Sequence, residues 1–156
     1  MSFGLLARVY KDKGILGIFG FKSHKMDTIM KVDLPGSLPQ IVVNARRDES
    51  LKRSNLSADF DDSMKFRFEG VNGEHYDAYA AKTDRVTALQ IFTPDVLEVF
   101  YDKFPTTDVE IQGSSMWLIE RHTIRDDEVA KRLFEASSQL YDQVSKQVSV
   151  ATWAQN

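Results

Sequence analysis

Apolar and polar residues alternate along most of this chain, and the places where the alternation breaks divide it into elements. Met64, Phe66 and Phe68 fall on one face of residues 64–70, and Lys65, Arg67 and Glu69 fall on the other. A period of two with one wet side predicts an antiparallel strand. Residues 75–79 return with the same period, Tyr76 and Ala78 opposing His75, Asp77 and Tyr79, so either set suits a buried face. Residues 5–10 and 15–21 are apolar runs joined by Lys11-Asp-Lys-Gly14, which predicts a hairpin. Residues 27–33 alternate as a half-buried strand, with Ile29 and Lys31 on one side and Thr28, Met30 and Val32 on the other. Leu34-Pro-Gly-Ser-Leu-Pro39 reads as a turn, because each proline fixes its own φ and restricts the residue before it. Gln40-Ile-Val-Val-Asn44 then reads as a strand buried on both faces. Val109 and Ile111 face residues 116–119 across Gly113-Ser114-Ser115, which predicts a second hairpin.

Two stretches change period from two to that of a helix. Thr93-Pro94-Asp95 supplies a cap residue, a proline suited to the first helical position and an acid that complements the helix dipole. A short helix is expected over residues 94–103, with Val96, Leu97, Val99 and Phe100 as its buried face and Pro105 closing it. After Asp126, Ala130, Leu133, Phe134, Leu140, Tyr141, Val144 and Val148 recur at helical spacing, which predicts one long amphipathic helix over 126–150. One small sheet shields only a limited length of such a helix, at about 1.5 Å per residue. The later turns are therefore expected to project, with Phe134, Tyr141, Val144, Val148 and Trp153 as a candidate interaction surface. Residues 45–63 are polar apart from Leu51, Leu56 and Phe60 and read as a mobile loop. The pattern as a whole predicts a single α+β domain over 1–156: a mainly antiparallel sheet of roughly seven or eight strands, one short helix and one long C-terminal helix.

Composition adds exclusions. With 156 residues, 42% of them hydrophobic and 28% charged, the chain is long enough and apolar enough to bury one core without staples. It has no cysteine, which removes disulfides, thiolate metal sites and cysteine nucleophiles together. The net charge of -3 leaves no basic footprint for nucleic acid, and the one local cluster, Arg46-Arg47 with Lys52-Arg53, is interrupted by Asp48 and Glu49. The start of the chain has no basic n-region, and Arg8 breaks its apolar run, so no signal peptide is read there. No run of about 18 apolar residues is present to span a bilayer.

Candidate chemistry is sparse. Pro94-Asp95 followed by Glu110-Ile-Gln112 resembles the acids of a metal-dependent nuclease, but glutamine stands where such a site uses lysine, and Asp95 is already explained as a helix-start residue. His24, His75 and His122 have no ligand spacing among themselves. No nucleophile turn of the Gly-x-Ser-x-Gly kind occurs, and Gly17-Ile-Phe-Gly20 lacks the lysine of a phosphate loop. Phe66, Phe68, Tyr76 and Tyr79 have the makings of a base-stacking platform, yet on an acidic chain core packing is the better reading.

Several short pieces in fixed order resemble a bacterial domain family of unknown function, found mainly in actinobacteria and candidate-phylum bacteria. They are the run from Asp27 through Val32-Asp-Leu-Pro35, Leu38 to Asn44, Phe60-Asp-Asp-Ser63, Phe68-Glu-Gly70, His75-Tyr-Asp-Ala-Tyr-Ala80, Ala88-Leu89, Thr93-Pro-Asp-Val96 and Val109-Glu-Ile111. The chain departs from that pattern at Val71-Asn72, where the family has an acid and an aromatic, and at Ala81, where it has proline. Members carry an additional N-terminal segment, so this chain is expected to be a short or trimmed member. The resemblance implies a shared fold and a bacterial source and transfers no catalytic residue. The function expected is a non-catalytic interaction or scaffold domain of the cytoplasm, with no cofactor, no metal and no nucleic acid, engaging a protein partner or a second copy of itself through the last helix. The alternatives are a carboxylate-dependent metal hydrolase or nuclease, and a small-ligand sensor with an apolar pocket under the 45–63 loop.

Overall fold

The computed structural model describes residues 3–11, 24–46, 62–70, 72–120 and 127–153. In chain order these form β1 (Phe3–Lys11), β2 (His24–Ala45), β3 (Lys65–Phe66), β4 (Tyr76–Ala80), α1 (Arg85–Ile91), α2 (Pro94–Lys103), β5 (Thr107–Glu120) and α3 (Asp127–Trp153). The class is α+β, with the five strands in one antiparallel sheet. The long strand β2 is its spine. Its first half pairs with β1 from Phe3↔Val32 to Lys11↔His24, and its second half pairs with β4 from Ile41↔Ala80 to Ala45↔Tyr76. Strand β5 runs along the other edge of both halves, from Thr28↔Glu120 to Val43↔Val109. The expected hairpin partner of β1, residues 15–21, lies outside the described residues, as does most of the 45–63 loop.

Among the described residues the strands number five, and two stretches read as turns, 34–39 and 113–115, are the two sides of a single bend. Between Asp33 and Ile41, β2 carries more residues than β5 offers opposite them between Ser115 and Ile111, and the register shifts on either side of Leu38. Pro35 and Pro39 fall where β5 has no opposing residue, so their missing N–H groups cost no ladder bond. Opposite Leu38 stands Gly113, whose φ of 59° is a left-handed conformation that glycine adopts without a Cβ clash. The predicted hairpin across Gly113 does not form, because both of its arms pair with the longer strand β2 instead.

Crossing the bend switches which residues face inward. On β2 the core residues are Met30, Val32 and Leu34 before it and Ile41, Val43 and Ala45 after it. On β5 they are Val109 and Ile111 on one arm and Met116 and Leu118 on the other. A strand with strict alternation would turn one arm's apolar set to solvent, so the odd offset is what lets both arms enclose one core. The arms close at their ends. Thr107 and Glu120, the two ends of β5, would lie roughly 43 Å apart in a straight strand at about 3.3 Å per residue. Instead the Thr107 hydroxyl donates to Glu120 Oε2 and the Thr106 hydroxyl to Oε1, both at 2.5 Å. Beyond the end of the ladder, the Ala45 N–H donates to Asp108 Oδ1 at 2.8 Å, so that buried group also finds a partner.

The helices fill the space between the arms. Helix α3 sends Leu133, Ala136, Leu140, Val144 and Val148 into the core, and α1 and α2 add Ala88, Ile91, Leu97 and Phe100. Helix α1 was not read from the sequence. Its Arg85 guanidinium donates to the carbonyls of Ser63 and Lys65, which holds the start of β3, and lies 5.6 Å from the centre of the Phe66 ring. Helix α2 spans the expected residues, with Pro94 in its first turn and the Thr93 carbonyl accepting from Leu97 N–H. Met64 was expected to share a face with Phe66 and Phe68. It sits instead in a 3₁₀ turn, Asp62–Met64, which breaks the alternation, and it packs on Val42 and Tyr79 on the outer face of the sheet.

As far as Val148, the long helix does not project where its free turns were expected. Val144 is wholly buried and Val148 is 7% exposed, so neither is a surface residue as expected. The cause is the β2 bend, which rises to meet the helix: a Cβ built on Gly36 would stand 2.4 Å from Val148 Cγ1. Gly36→Ala is therefore expected to destabilise the fold by about 1–3 kcal/mol through overpacking against a stiff β-branched side chain. Combined with Val148→Ala the penalty at Gly36 should largely disappear, which urea denaturation of the two single variants and the double variant will measure as a coupling of opposite sign.

Candidate functional site

Helix α2 divides its apolar residues between two surroundings. Leu97 and Phe100 are buried, whereas Val96 and Val99 are only half-buried and border a groove against α3. From α3 the groove takes Gln139, Asp142, Gln143 and Lys146, spaced so that they share one flank of that helix. Its volume is about 310 Å³, with an apolar floor of Val96, Val99 and Phe100 and polar walls that include Asp95. Alpha-helical backbones line both sides and bond internally, so the floor offers apolar side chains with few free peptide groups. A smaller hollow of about 90 Å³ lies by Glu69, Asn72, Pro94, Leu97 and Glu98.

Of the surface residues expected on α3, Phe134 is exposed at 48% and Tyr141 is half-buried against the core, while the side chain of Trp153 lies outside the described residues. At about 100° per residue, Phe134 and Tyr141 fall on the flank of α3 away from Gln139, Gln143 and Lys146. The groove residues were missed because those that α3 supplies are all polar, so their helical spacing reads as an ordinary solvated flank. The one available hint was Val96 and Val99, which together with Leu97 and Phe100 make too wide an apolar arc for a short helix to bury completely.

The acids read as a nuclease-like pair do not converge. Asp95 is exposed at the start of α2 beside the groove, and Glu110 is buried in β5 opposite Val42. Among the described residues no group of three or more His, Asp or Glu side chains is placed to hold a metal ion. His75 opens the run 75–79, which alternation reads as a strand. It belongs to a 3₁₀ turn, Gly73–His75, where its ring stacks on Tyr101 of α2 at 4.2 Å and 25°, pinning that turn to the helix. The four aromatics considered as a stacking platform do not share a face: Phe66, Phe68 and Tyr76 belong to the inner core and Tyr79 to the outer cluster.

On the outer face, one carboxylate joins three strands. Asp77 Oδ1 of β4 accepts from Arg46 Nε at 3.0 Å and Nη2 at 2.8 Å, just past the end of β2, and pairs with Lys65 Nζ of β3 at 2.9 Å. Lys65 also lies 5.8 Å from the centre of the Tyr79 ring. Partial burial pushes the Asp77 carboxyl upward, but hydrogen bonds from Lys65 and Arg46 and their two positive charges outweigh it, and the net shift is downward. This cluster is a clamp on a very short edge strand.

No family model, curated protein or solved structure matches the chain.

Because the folded Asp77 carboxyl titrates below its unfolded value, its contribution to stability is complete above about pH 4 and is lost as pH falls through the lower folded value. Asp77→Asn should destabilise the protein at neutral pH, and the gap to the parent chain should narrow below about pH 4. Urea melts of both chains across the acid range will show it. A gap that stays constant with pH would assign the loss to packing.

Proposed function

We propose that the chain is a non-catalytic interaction module of the bacterial cytoplasm that seats a segment of a partner protein between α2 and α3. Membership of the bacterial family that residues 27–120 resemble is part of the same proposal. The observation that carries the reading is the groove: half-buried Val96 and Val99 beside Phe100, walled by side chains of two helices. Completing the burial of an aliphatic side chain is worth about 1–2 kcal/mol, so two valines and a phenylalanine edge supply a usable anchor point. An open cleft of this size between helices fits inserted side chains of a larger partner better than a small molecule, which sites of that kind enclose on most sides. Of the acids behind the hydrolase alternative, Asp95 is exposed on α2 and Glu110 is buried in β5 opposite Val42. No described helix is long and apolar enough to cross a membrane.

The experiment is site-specific photo-cross-linking in the native host, with the photoreactive residue at Gln143. A discrete cross-linked partner is expected from the parent chain and its loss from a Val99→Arg variant whose circular dichroism and melting remain close to those of the parent. A cross-link that persists at full yield when the groove is blocked would contradict the reading.

A further inference from the structure

We propose that the seated segment is a short amphipathic helix whose apolar anchors are flanked by lysine or arginine, an inference that rests on the groove being the binding site. The length of the groove and its charge both point there. From Gln139 to Lys146, α3 rises about 10 Å, or two helical turns. Two turns of a ligand helix present anchors at i, i+3 or i+4, and i+7 along one face, which is the spacing needed to place side chains on Val96, Val99 and Phe100. An extended peptide would bring unpaired N–H and C=O groups onto this apolar floor, at a cost that a helix avoids by bonding its own backbone.

The walls select the sign of the flanking charges. Asp95 on α2 and Asp142 on α3 both line the groove, and among its described lining residues Lys146 is the one cation. Outside the lining, the exposed side of α2 carries Glu98 and Asp102 against Lys103. A helix approaching between these walls meets more carboxylates than ammonium groups, and complementary charge on the ligand raises its on-rate and disfavours acidic competitors. Asp95 also sits in the first turn of α2, where it complements that helix's own dipole, so the groove keeps an acid at this end in the absence of any partner.

The test uses the full chain and fluorescence anisotropy with synthetic peptides of about four helical turns. The peptides share leucine anchors at i, i+3 and i+7 and differ only in flanks of lysine, glutamine or glutamate. The lysine-flanked peptide should bind about tenfold or more tightly than the glutamate-flanked one, with glutamine between them. Joint Asp95→Asn and Asp142→Asn substitution, or raised salt, should compress that difference. Val99→Arg should abolish binding of all the peptides, and Gln143→Trp, which fills the groove from its rim, provides a second block if the arginine variant folds poorly. Equal affinity for all flanks, or preference for glutamate, with both blocks still effective, would overturn the charge inference and leave the groove standing. Binding that survives both blocks, or no binding by any peptide, would remove the groove reading and this inference with it.

Discussion

Everything in this structure follows from a mismatch in length between two paired strands. Strand β2 carries surplus residues around Leu34 to Pro39 that β5 answers with little more than Gly113, so the ribbon they form has to fold over. A fold-over in a twisted two-stranded ribbon normally exposes one arm's apolar face, and here the switch in alternation at the same point prevents it. The price is two unpaired stretches of β2, placed at prolines that have no donor to lose. Hydroxyls from Thr106 and Thr107 then close the ends on Glu120, a buried acid whose two oxygens are both engaged. Hydrogen bonds to a carboxylate contribute about 1.5–3 kcal/mol each, and removing the donors would leave a buried charge-bearing group unsatisfied.

The consequences reach the helices. Because the bend rises toward α3, the helix is covered over a greater length than a flat sheet would manage, and Val148 lies on Gly36. With the central stripe of α3 committed to the core, what it has left to offer is its flanks. One flank carries exposed Phe134, and the other forms the groove with α2. The groove is thus a by-product of packing: α2 is too short to bury both valines and its two core residues at once, and the polar flank of α3 stops short of covering them.

Local pattern carried much of this architecture, and long-range pairing carried what pattern missed. Alternation in residues 27–33 and 40–44, both within β2, and in 76–79 of β4 marked extended backbone, and Thr93-Pro94-Asp95 marked the start of α2, since these signals depend on neighbours in sequence. The turn readings at Pro35 and Pro39 and at Gly113 failed for a physical reason. Proline and glycine break regular geometry equally well in a loop or in a bulged strand, and only the partner strand decides between them. Helix α1 was passed over because its apolar residues Val86, Ala88, Leu89 and Ile91 spread around seven residues, with Val86 and Leu89 exposed, and mark no single face. The groove was the least legible feature, since half-exposure of Val96 and Val99 is a property of how two helices diverge, which neither helix encodes alone.

The claim that the ribbon folds back on itself can be checked in solution without altering a residue. In a methyl-resolved NMR spectrum of the intact chain, the Thr107 methyl should show a nuclear Overhauser contact to the side-chain methylene protons of Glu120, alongside the ladder contacts from Thr28↔Glu120 through Val43↔Val109. A spectrum that keeps those ladder contacts but lacks any contact between Thr107 and Glu120 would describe a ribbon whose ends stay apart, and the bent core, the seating of α3 and the groove beside it would all need another explanation.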